Sequence, residues 1–238
     1  MMMKRFAVLT LAAVSLTGAA LAQTPATASS RLVANLKAGK AQTVVAYGTS
    51  LSAGGGWVKQ VPDALAKQFP GKITMVNSGG SGQYSKWGVD NLDKMVLEKK
   101  PDAVFIEFGV NDAVARFKLP LSGAKANLES MIDRILKQNP ECEIILMTMT
   151  PADAYPKGHG SYRENIGDYY QMYRDVAKAR KLLLVDNYAN WLALQKSDKA
   201  TFSRYIPDSV HPNAEGCEKI VTPAILKTLG ITAAKAQP

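Results

Sequence analysis

Four short polar blocks of the sequence contain the residue types that acyl-transfer chemistry needs. They are Gly48-Thr49-Ser50, a glycine cluster that ends at Gly82, the run Gly109-Val110-Asn111-Asp112, and Asp208-Ser209-Val210-His211. A serine hydroxyl is a weak nucleophile unless a base removes its proton, and histidine is the usual base. The blocks therefore raise the hypothesis that Ser50 is a nucleophile.

The sequence has two histidines, so a base for Ser50 has few candidates. His159 lies between two glycines in the segment 152–162, which we interpret as a loop that can form one wall of a cleft. His211 has a carboxylate three residues earlier, and in a turn Asp208 can reach its Nδ1 and leave Nε2 to face Ser50. By itself this spacing is equally consistent with the N-terminal turn of a helix.

Acyl transfer also requires hydrogen-bond donors for the negative charge that develops on the carbonyl oxygen. Gly82 and Asn111 supply suitable N–H groups, and each follows an apolar run of the sequence. Either residue alone is typical of an ordinary turn. All four blocks at four separate strand ends are harder to explain as turns.

The elements that must position these blocks alternate along the chain. Apolar runs predict strands at residues 43–47, 72–77, 102–108, 143–149 and 182–186. Helical patterns lie near residues 32–36, 57–69, 84–99, 128–136, 162–180 and 213–229. The alternation predicts an α/β fold with a parallel sheet between helices, and the runs are nearly continuous in apolar residues, as in strands buried on both faces. In such sheets ligands bind at the carboxyl ends of the strands.

With the four blocks in this order, the sequence resembles the SGNH hydrolases, the superfamily that includes the GDSL-type esterases and lipases. The resemblance implies a three-layer α/β/α sandwich with a flavodoxin-like, five-stranded parallel sheet of order 2-1-3-4-5. It implies Ser50 as nucleophile and His211 as base oriented by Asp208. It also implies an oxyanion hole formed by the N–H of Ser50 together with Gly82 and Asn111, with no metal and no organic cofactor.

The activity implied by the resemblance is hydrolysis of carboxylic esters through an acyl-enzyme. An O-acetyl carbohydrate esterase is the favoured interpretation, so the expected partner is a small-molecule or glycan ester. Lysophospholipase, arylesterase, thioesterase and O-acyltransferase activities stay open, as does an inactive carbohydrate-binding scaffold.

The sequence does not assign a role to several residues near the four blocks. Thr49 occupies the position where the family name has aspartate. Glu107 lies inside an apolar strand and needs hydrogen-bond partners, because a buried unpaired carboxylate is costly. Trp57, Tyr84 and Arg116 are candidates for substrate binding, with core packing as the alternative for the aromatic residues and a solvated surface position for the arginine.

The first 22 of the 238 residues have the pattern of a secretory signal peptide. Lys4 and Arg5 form a basic start, an apolar run follows, and the small residues of Ala20-Leu21-Ala22 form a cleavage site. We interpret residues 23–40 as an N-terminal arm and 41–238 as the hydrolase domain. The expected protein is secreted or periplasmic, with no stable insertion in a membrane.

Charge and cysteine content argue against two other classes of function, nucleic-acid binding and metal binding. Removal of the signal peptide lowers the net charge from +9 to +7, but the basic residues are scattered, which does not favour nucleic-acid binding. Cys142 precedes one strand and Cys217 lies near the opposite edge of the sheet, so we predict that they are unpaired. Two cysteines and two histidines without close spacing do not form a metal site.

Overall fold

Five parallel strands form one sheet, and helices cover both of its faces. The computed structural model describes residues 30–231, so the predicted signal peptide and the first part of the predicted arm lie outside the described residues. The strands are β1 (Gln42–Gly48), β2 (Ile73–Asn77), β3 (Ala103–Glu107), β4 (Glu143–Thr148) and β5 (Leu183–Asp186). Their order is β2-β1-β3-β4-β5, which confirms the predicted α/β sandwich and its topology.

The helices occupy the segments between the strands. They are α1 (Arg31–Lys37), α2 (Ser50–Ala53), α3 (Trp57–Ala66), α4 (Ser85–Met95), α5 (Gly109–Asp112), α6 (Leu121–Gln138), α7 (Ile166–Arg180), α8 (Asn187–Ser197), α9 (Lys199–Tyr205), α10 (Ala214–Gly216) and α11 (Thr222–Thr228). Short 3-10 turns follow α4 and α5, and a π-helical turn at Cys217–Val221 joins α10 to α11.

Two apolar cores lie on opposite faces of the sheet, because successive side chains of a strand point to opposite sides. Val44 and Ala46 of β1 belong to the core that contains α1, α3, α8 and α11. Val45 and Tyr47 of the same strand belong to the core that contains α4, α6 and α7. The three central strands are therefore buried on both faces, as the sequence predicted.

The two edge strands differ from that prediction. Residues of β2 and most residues of β5 are only half-buried or exposed. Each edge strand has one neighbour in the sheet, so helices and strands cover less of its surface. The sequence does not show which apolar run will take an edge position, because a half-buried run and a buried run have similar composition.

Helices α8 and α9 were not predicted. Their apolar residues do not recur at a clear helical spacing, and the sequence signal lies instead in the residue directly before each helix. Asp186 accepts a hydrogen bond from the N–H of Ala189 at the start of α8, and Asp198 accepts one from the N–H of Thr201 at the start of α9. Aspartate is a preferred residue at this capping position, so the two caps were the usable signal.

Both cysteines are buried and unpaired, which confirms the prediction. Burial raises the pKa of the Cys142 thiol to about 12, and it also raises the pKa of Cys217. Neither thiol is a reactive thiolate at neutral pH.

Glu143 at the start of β4 attaches α1 to the sheet. Its carboxylate accepts hydrogen bonds from the hydroxyl of Ser30 at 2.7 Å and from the backbone N–H groups of Arg31 and Leu32 at 2.7 and 3.0 Å. The N–H groups at the start of a helix lack partners within the helix, so the carboxylate satisfies two of them. The apolar face of α1 can then pack into the core through Leu32, Val33 and Leu36.

We predict that Glu143→Gln lowers the free energy of unfolding by about 1 to 2 kcal/mol, because hydrogen bonds to a charged group are stronger than those to an amide. Urea denaturation measures the change. Glu141→Gln is the matched control, since Glu141 pairs with Arg31 at 3.2 Å but is 80% exposed, and its loss should cost less than about 0.5 kcal/mol. Equal losses in the two variants would contradict this role of Glu143.

Candidate active site

Ser50 is the first residue of α2, directly after β1. Thr49 before it is extended, and its hydroxyl oxygen accepts a hydrogen bond from the N–H of Leu51 at 3.1 Å. The backbone N–H of Ser50 has no acceptor within residues 30–231. The turn thus presents a serine hydroxyl and a free N–H at the carboxyl edge of the sheet, as the sequence predicted.

The structure brings Ser50, His211 and Asp208 together, although 161 residues separate the serine from the histidine. The hydroxyl oxygen of Ser50 lies 2.7 Å from Nε2 of His211, and Nδ1 of His211 lies 2.6 Å from Oδ2 of Asp208. A carboxylate can only accept, so the proton of a neutral imidazole is on Nδ1 and the lone pair on Nε2 faces Ser50. This is the arrangement in which histidine can remove the serine proton.

The backbone of its own turn fixes the carboxylate of Asp208. Its Oδ1 accepts hydrogen bonds from the backbone N–H groups of His211 at 2.7 Å and Val210 at 2.9 Å. Partial burial raises the pKa of Asp208, but the hydrogen bonds from His211 and Val210 outweigh it, so the net pKa is below the usual value. Asp208 therefore stays ionised at neutral pH and can stabilise an imidazolium on His211.

The side chains of His211 and Asp208 are open to solvent. The side chain of His211 is 46% exposed and that of Asp208 is 53% exposed. A bulky substrate can reach such a site without the opening of a cover.

Thr150 holds the Asp208–His211 turn in place, a role that the sequence did not predict. Its hydroxyl donates a hydrogen bond to the carbonyl of Val210 at 2.7 Å, and its own carbonyl accepts one from the hydroxyl of Tyr170 at 3.0 Å. The sequence placed Thr150 after the fourth strand but gave no signal that it contacts a segment 60 residues away.

Among the three glycines of the cluster, one has a free N–H group. The N–H of Gly79 donates to Oδ1 of Asn77 at 3.0 Å, and the N–H of Gly80 donates to the carbonyl of Gly48 at 2.8 Å. The N–H of Gly82 has no acceptor in the described part of the chain. Gly82 is also exposed and has a φ of +72°, a conformation that glycine adopts readily. Of the three glycines, Gly82 is thus the one able to donate to a ligand.

Asn111 lies in α5, between β3 and the 3-10 turn that follows. One hydrogen of its Nδ2 is donated to the carbonyl of Gln83 at 2.8 Å, which fixes the amide beside the glycine cluster. The second hydrogen of this amide has no acceptor among the described residues. Asn111 is nearly buried, at 7% exposure, so its amide is held rigidly.

Arg163 is a further residue of this region for which the sequence gave no signal. Its Nε donates a hydrogen bond to the carbonyl of Val110 at 2.7 Å, directly before Asn111. Its guanidinium also lies 5.5 Å from the centre of the Tyr155 ring. Arg163 thereby connects the segment 152–162 to the turn that carries Asn111.

Two buried carboxylates lie behind this edge of the sheet. Glu107 accepts hydrogen bonds from the N–H of Thr49 at 2.7 Å and from the hydroxyl of Ser52 at 2.7 Å, so it has the partners that the sequence analysis required. Asp112 accepts a hydrogen bond from the N–H of Ser85 at 2.7 Å, while its Oδ2 has no partner in the described residues. Burial raises the pKa of both carboxyl groups to about 7, against the lowering effect of these hydrogen bonds.

The three candidates for substrate binding have different positions. Trp57 is fully buried, packs against Phe105 and donates a hydrogen bond from Nε1 to the carbonyl of Leu51, so its assignment to the cleft was wrong. Tyr84 is half-buried and stacks on Phe117 with ring centres 4.2 Å apart. Arg116 is exposed, and its guanidinium lies over the same Phe117 ring at 5.0 Å. Tyr84 and Arg116 stay candidates, because they follow Gly82 and Asn111 closely in the chain.

One large cavity lies away from these residues. It has a volume of about 1010 Å³ at the outer edge of the sheet, and β5, α7, α8 and α11 line it. None of the predicted site residues is among its lining residues. Within residues 30–231, no group of three or more His, Cys, Asp and Glu side chains is placed to bind a metal ion. No helix in this range is long and apolar enough to cross a membrane.

Comparisons with known proteins give a family match and several relatives. The family described as GDSL-like Lipase/Acylhydrolase matches residues 43–219. A GDSL esterase/lipase of Arabidopsis thaliana is 30% identical over 135 residues, which cover 52% of this chain and 54% of that protein, so the chain spans about half the length of this relative. An acetylxylan esterase of Geobacillus stearothermophilus is 27% identical over 186 residues, which cover 74% of this chain and 82% of that protein.

A solved structure has the same fold. The crystal structure of Axe2, an acetylxylan esterase from Geobacillus stearothermophilus, matches with a TM-score of 0.70 at 23% sequence identity. The match covers 83% of this chain and 98% of that chain.

The raised pKa values of Glu107 and Asp112 predict a stability that falls as the pH rises from about 4 to about 7. In this range the unfolded chain has released both protons while the folded chain keeps them, so folding takes up protons and a higher pH opposes it. Glu107→Gln and Asp112→Asn should each make this decline shallower, because each removes one proton uptake. Urea denaturation of the unchanged protein and of both variants at pH 4.5 and pH 7.5 measures how far the free energy of unfolding falls between these pH values. The same fall in both variants as in the unchanged protein would contradict the prediction.

Proposed function

Because the chain belongs to the GDSL-like lipase/acylhydrolase family and is a carboxylic ester hydrolase, we propose that it cleaves esters through a covalent acyl-enzyme on Ser50. The observation that carries this proposal is the chain of two hydrogen bonds from Ser50 through His211 to Asp208. Nucleophile, base and orienting group lie within hydrogen-bond distance of one another, which is the geometry that this chemistry requires.

In the proposed first step, the hydroxyl oxygen of Ser50 attacks the carbonyl carbon of the ester and Nε2 of His211 takes the hydroxyl proton. Asp208 stabilises the imidazolium that forms. The tetrahedral intermediate then collapses, the bond to the alcohol oxygen breaks, and His211 returns its proton to the departing alcohol. In the second step His211 takes a proton from water, and the water oxygen attacks the acyl carbon. The bond from this carbon to the Ser50 oxygen then breaks, His211 returns the proton to that oxygen, and the acid leaves.

Three donors are available for the oxyanion of the tetrahedral intermediate. They are the backbone N–H groups of Ser50 and Gly82 and the second hydrogen of the Asn111 amide. Each lacks an acceptor within residues 30–231. The link from Asn111 to the carbonyl of Gln83 supports their joint role, because it holds the amide next to Gly82. Donors that are fixed before the reaction stabilise the developing charge without reorganisation.

For the substrate, we propose an O-acetyl ester of a carbohydrate. The exposed triad supports this choice, since a polymeric or branched alcohol can approach it directly. The half-buried Tyr84 and the exposed Arg116 offer an aromatic ring and hydrogen-bond donors, groups that suit a sugar better than a long alkyl chain. The similarity to an acetylxylan esterase is a further argument, at low identity. Export, which residues 1–22 predict, agrees with a glycan substrate and stays a prediction.

We predict that Ser50→Ala and His211→Ala each lower kcat for p-nitrophenyl acetate by about 10⁴-fold or more, because the nucleophile and base act as a unit. Asn111→Ala should lower kcat by about 10²- to 10³-fold through the loss of one oxyanion donor. Initial rates from purified variants measure these changes, with circular dichroism as a check on folding.

His159→Ala is the matched control for the base. His159 is exposed and stacks on Tyr155 at 4.8 Å, and its loss should leave kcat close to that of the unchanged protein. If His159→Ala and His211→Ala had the same effect, or Ser50→Ala kept full activity, the proposed mechanism would be wrong.

We predict that p-nitrophenyl acetate is cleaved faster than the butyrate and octanoate esters, and that acetate is released from acetylated xylooligosaccharides. Tyr84→Ala and Arg116→Ala should raise KM for the oligosaccharide more than KM for p-nitrophenyl acetate, because the small ester makes no contact with a sugar-binding rim. A maximum at octanoate would indicate a lipid esterase, and transfer of acetyl groups to added sugar in excess over hydrolysis would indicate an acyltransferase. A folded protein without activity on any ester would favour a binding scaffold.

A further inference from the structure

The ends of β1 and β3 bring a carboxylate next to the turn that carries Ser50. Gly48 and Glu107, the last residues of these neighbouring strands, are partners in the parallel register. A Cβ on residue 48 would lie 2.1 Å from Oε1 of Glu107, closer than two such atoms can approach. Glycine at position 48 therefore makes the space that the Glu107 carboxylate fills.

Within residues 30–231, the hydrogen bonds of this carboxylate come from the Ser50 turn alone. Oε1 accepts from the N–H of Thr49 and from the hydroxyl of Ser52, each at 2.7 Å. Oε2 lies 3.1 Å from the hydroxyl of Thr49. The three donors flank Ser50 on both sides in the sequence, and Glu107 itself is 1% exposed. A shift of this carboxylate must therefore shift the nucleophile.

Thr49 supplies two hydrogen bonds to this turn, one within the turn and one to Glu107. Its hydroxyl oxygen accepts from the N–H of Leu51, which leaves its hydrogen free to donate to Glu107. Aspartate, which the family name has at this position, could accept from Leu51 but could not donate while ionised. The threonine hydroxyl thus accepts from Leu51 and donates to Glu107 within one turn.

We propose that Glu107 is a positioning residue of the esterase reaction, acting through Thr49 and Ser52 to hold the hydroxyl of Ser50 at His211 and its N–H toward the oxyanion. Glu107 does not touch the substrate in this role. The inference rests on the proposed function of Ser50, and it adds a residue that acts from behind the nucleophile.

The titratable groups around Glu107 come from two further elements. Asp112 of α5 is a like charge that acts on it, and Tyr170 and Tyr173 of α7 lie close enough to interact with its charge. None of them donates a hydrogen bond to the carboxylate. The anchoring contacts are thus confined to the Ser50 turn.

The test compares steady-state kinetics of Glu107→Gln, Ser52→Ala, Thr49→Val and Thr49→Ser with p-nitrophenyl acetate. Glutamine keeps the shape of the side chain but has one acceptor oxygen instead of two. Glu107→Gln and Thr49→Val should lower kcat by about 10-fold or more while KM changes less than about twofold, because a displaced nucleophile affects the chemical step and not substrate binding. Ser52→Ala, which removes a single donor, should have a smaller effect of the same kind. Thr49→Ser restores the hydroxyl and should recover most of the kcat that Thr49→Val loses.

Glu143→Gln is the matched control. Glu143 also accepts three hydrogen bonds from one turn, but it lies at the amino end of β4 and anchors α1. It should lower the free energy of unfolding and leave kcat unchanged. Should Glu107→Gln likewise reduce only stability, Glu107 would be purely structural.

The experiment separates failure of this inference from failure of the proposed function. An active protein that Ser50→Ala inactivates, combined with normal kcat in Glu107→Gln and Ser52→Ala, overturns the inference alone. Equal activity of the protein and Ser50→Ala overturns the proposed function. If Glu107→Gln does not fold, the kcat of Ser52→Ala and the difference between Thr49→Val and Thr49→Ser decide the question.

Discussion

The parallel pairing of β1 with β3 is the constraint on which the site depends. It sets Gly48 beside Glu107 at the point where both strands end, so that a side chain from one strand fills the space that the other leaves. The chain that continues from Gly48 then carries Ser50, and the chain that continues from Glu107 carries Asn111. The proposed nucleophile and the proposed oxyanion donor thus come from neighbouring strand ends, as expected for ligand sites in parallel sheets.

Side-chain to main-chain hydrogen bonds join the remaining loops to this pair. Asn111 binds the carbonyl of Gln83, Arg163 binds the carbonyl of Val110, and Thr150 binds the carbonyl of Val210. Each bond connects segments that are far apart in the sequence, and each fixes a loop that would otherwise be free to move. The site is therefore precise although His211 and Asp208 are exposed.

Two buried carboxylates accompany this arrangement. Glu107 and Asp112 lie in surroundings where the neutral form is favoured, which is why their pKa values are raised. An apolar residue at either position would avoid this cost but could not accept hydrogen bonds from the turn of Ser50 or from the N–H of Ser85. The free energy of unfolding is lower at neutral pH as a result, and the turns beside Ser50 and Asn111 are better defined.

The sequence by itself determined the strands and the α/β class, because continuous apolar runs are local patterns. Its short polar blocks made Ser50, Asp208 and His211 candidates for a triad, and their roles stay a proposal. The family resemblance supplied the strand order. Tertiary structure alone decided that Trp57 belongs to the core, that β2 and β5 are half-exposed edges, and that Gly82 rather than Gly79 or Gly80 has a free N–H. It also decided the partners of Glu107. The physical reason is that hydrogen-bond partners and burial depend on segments distant in the chain, and a local pattern contains no information on which of them will meet.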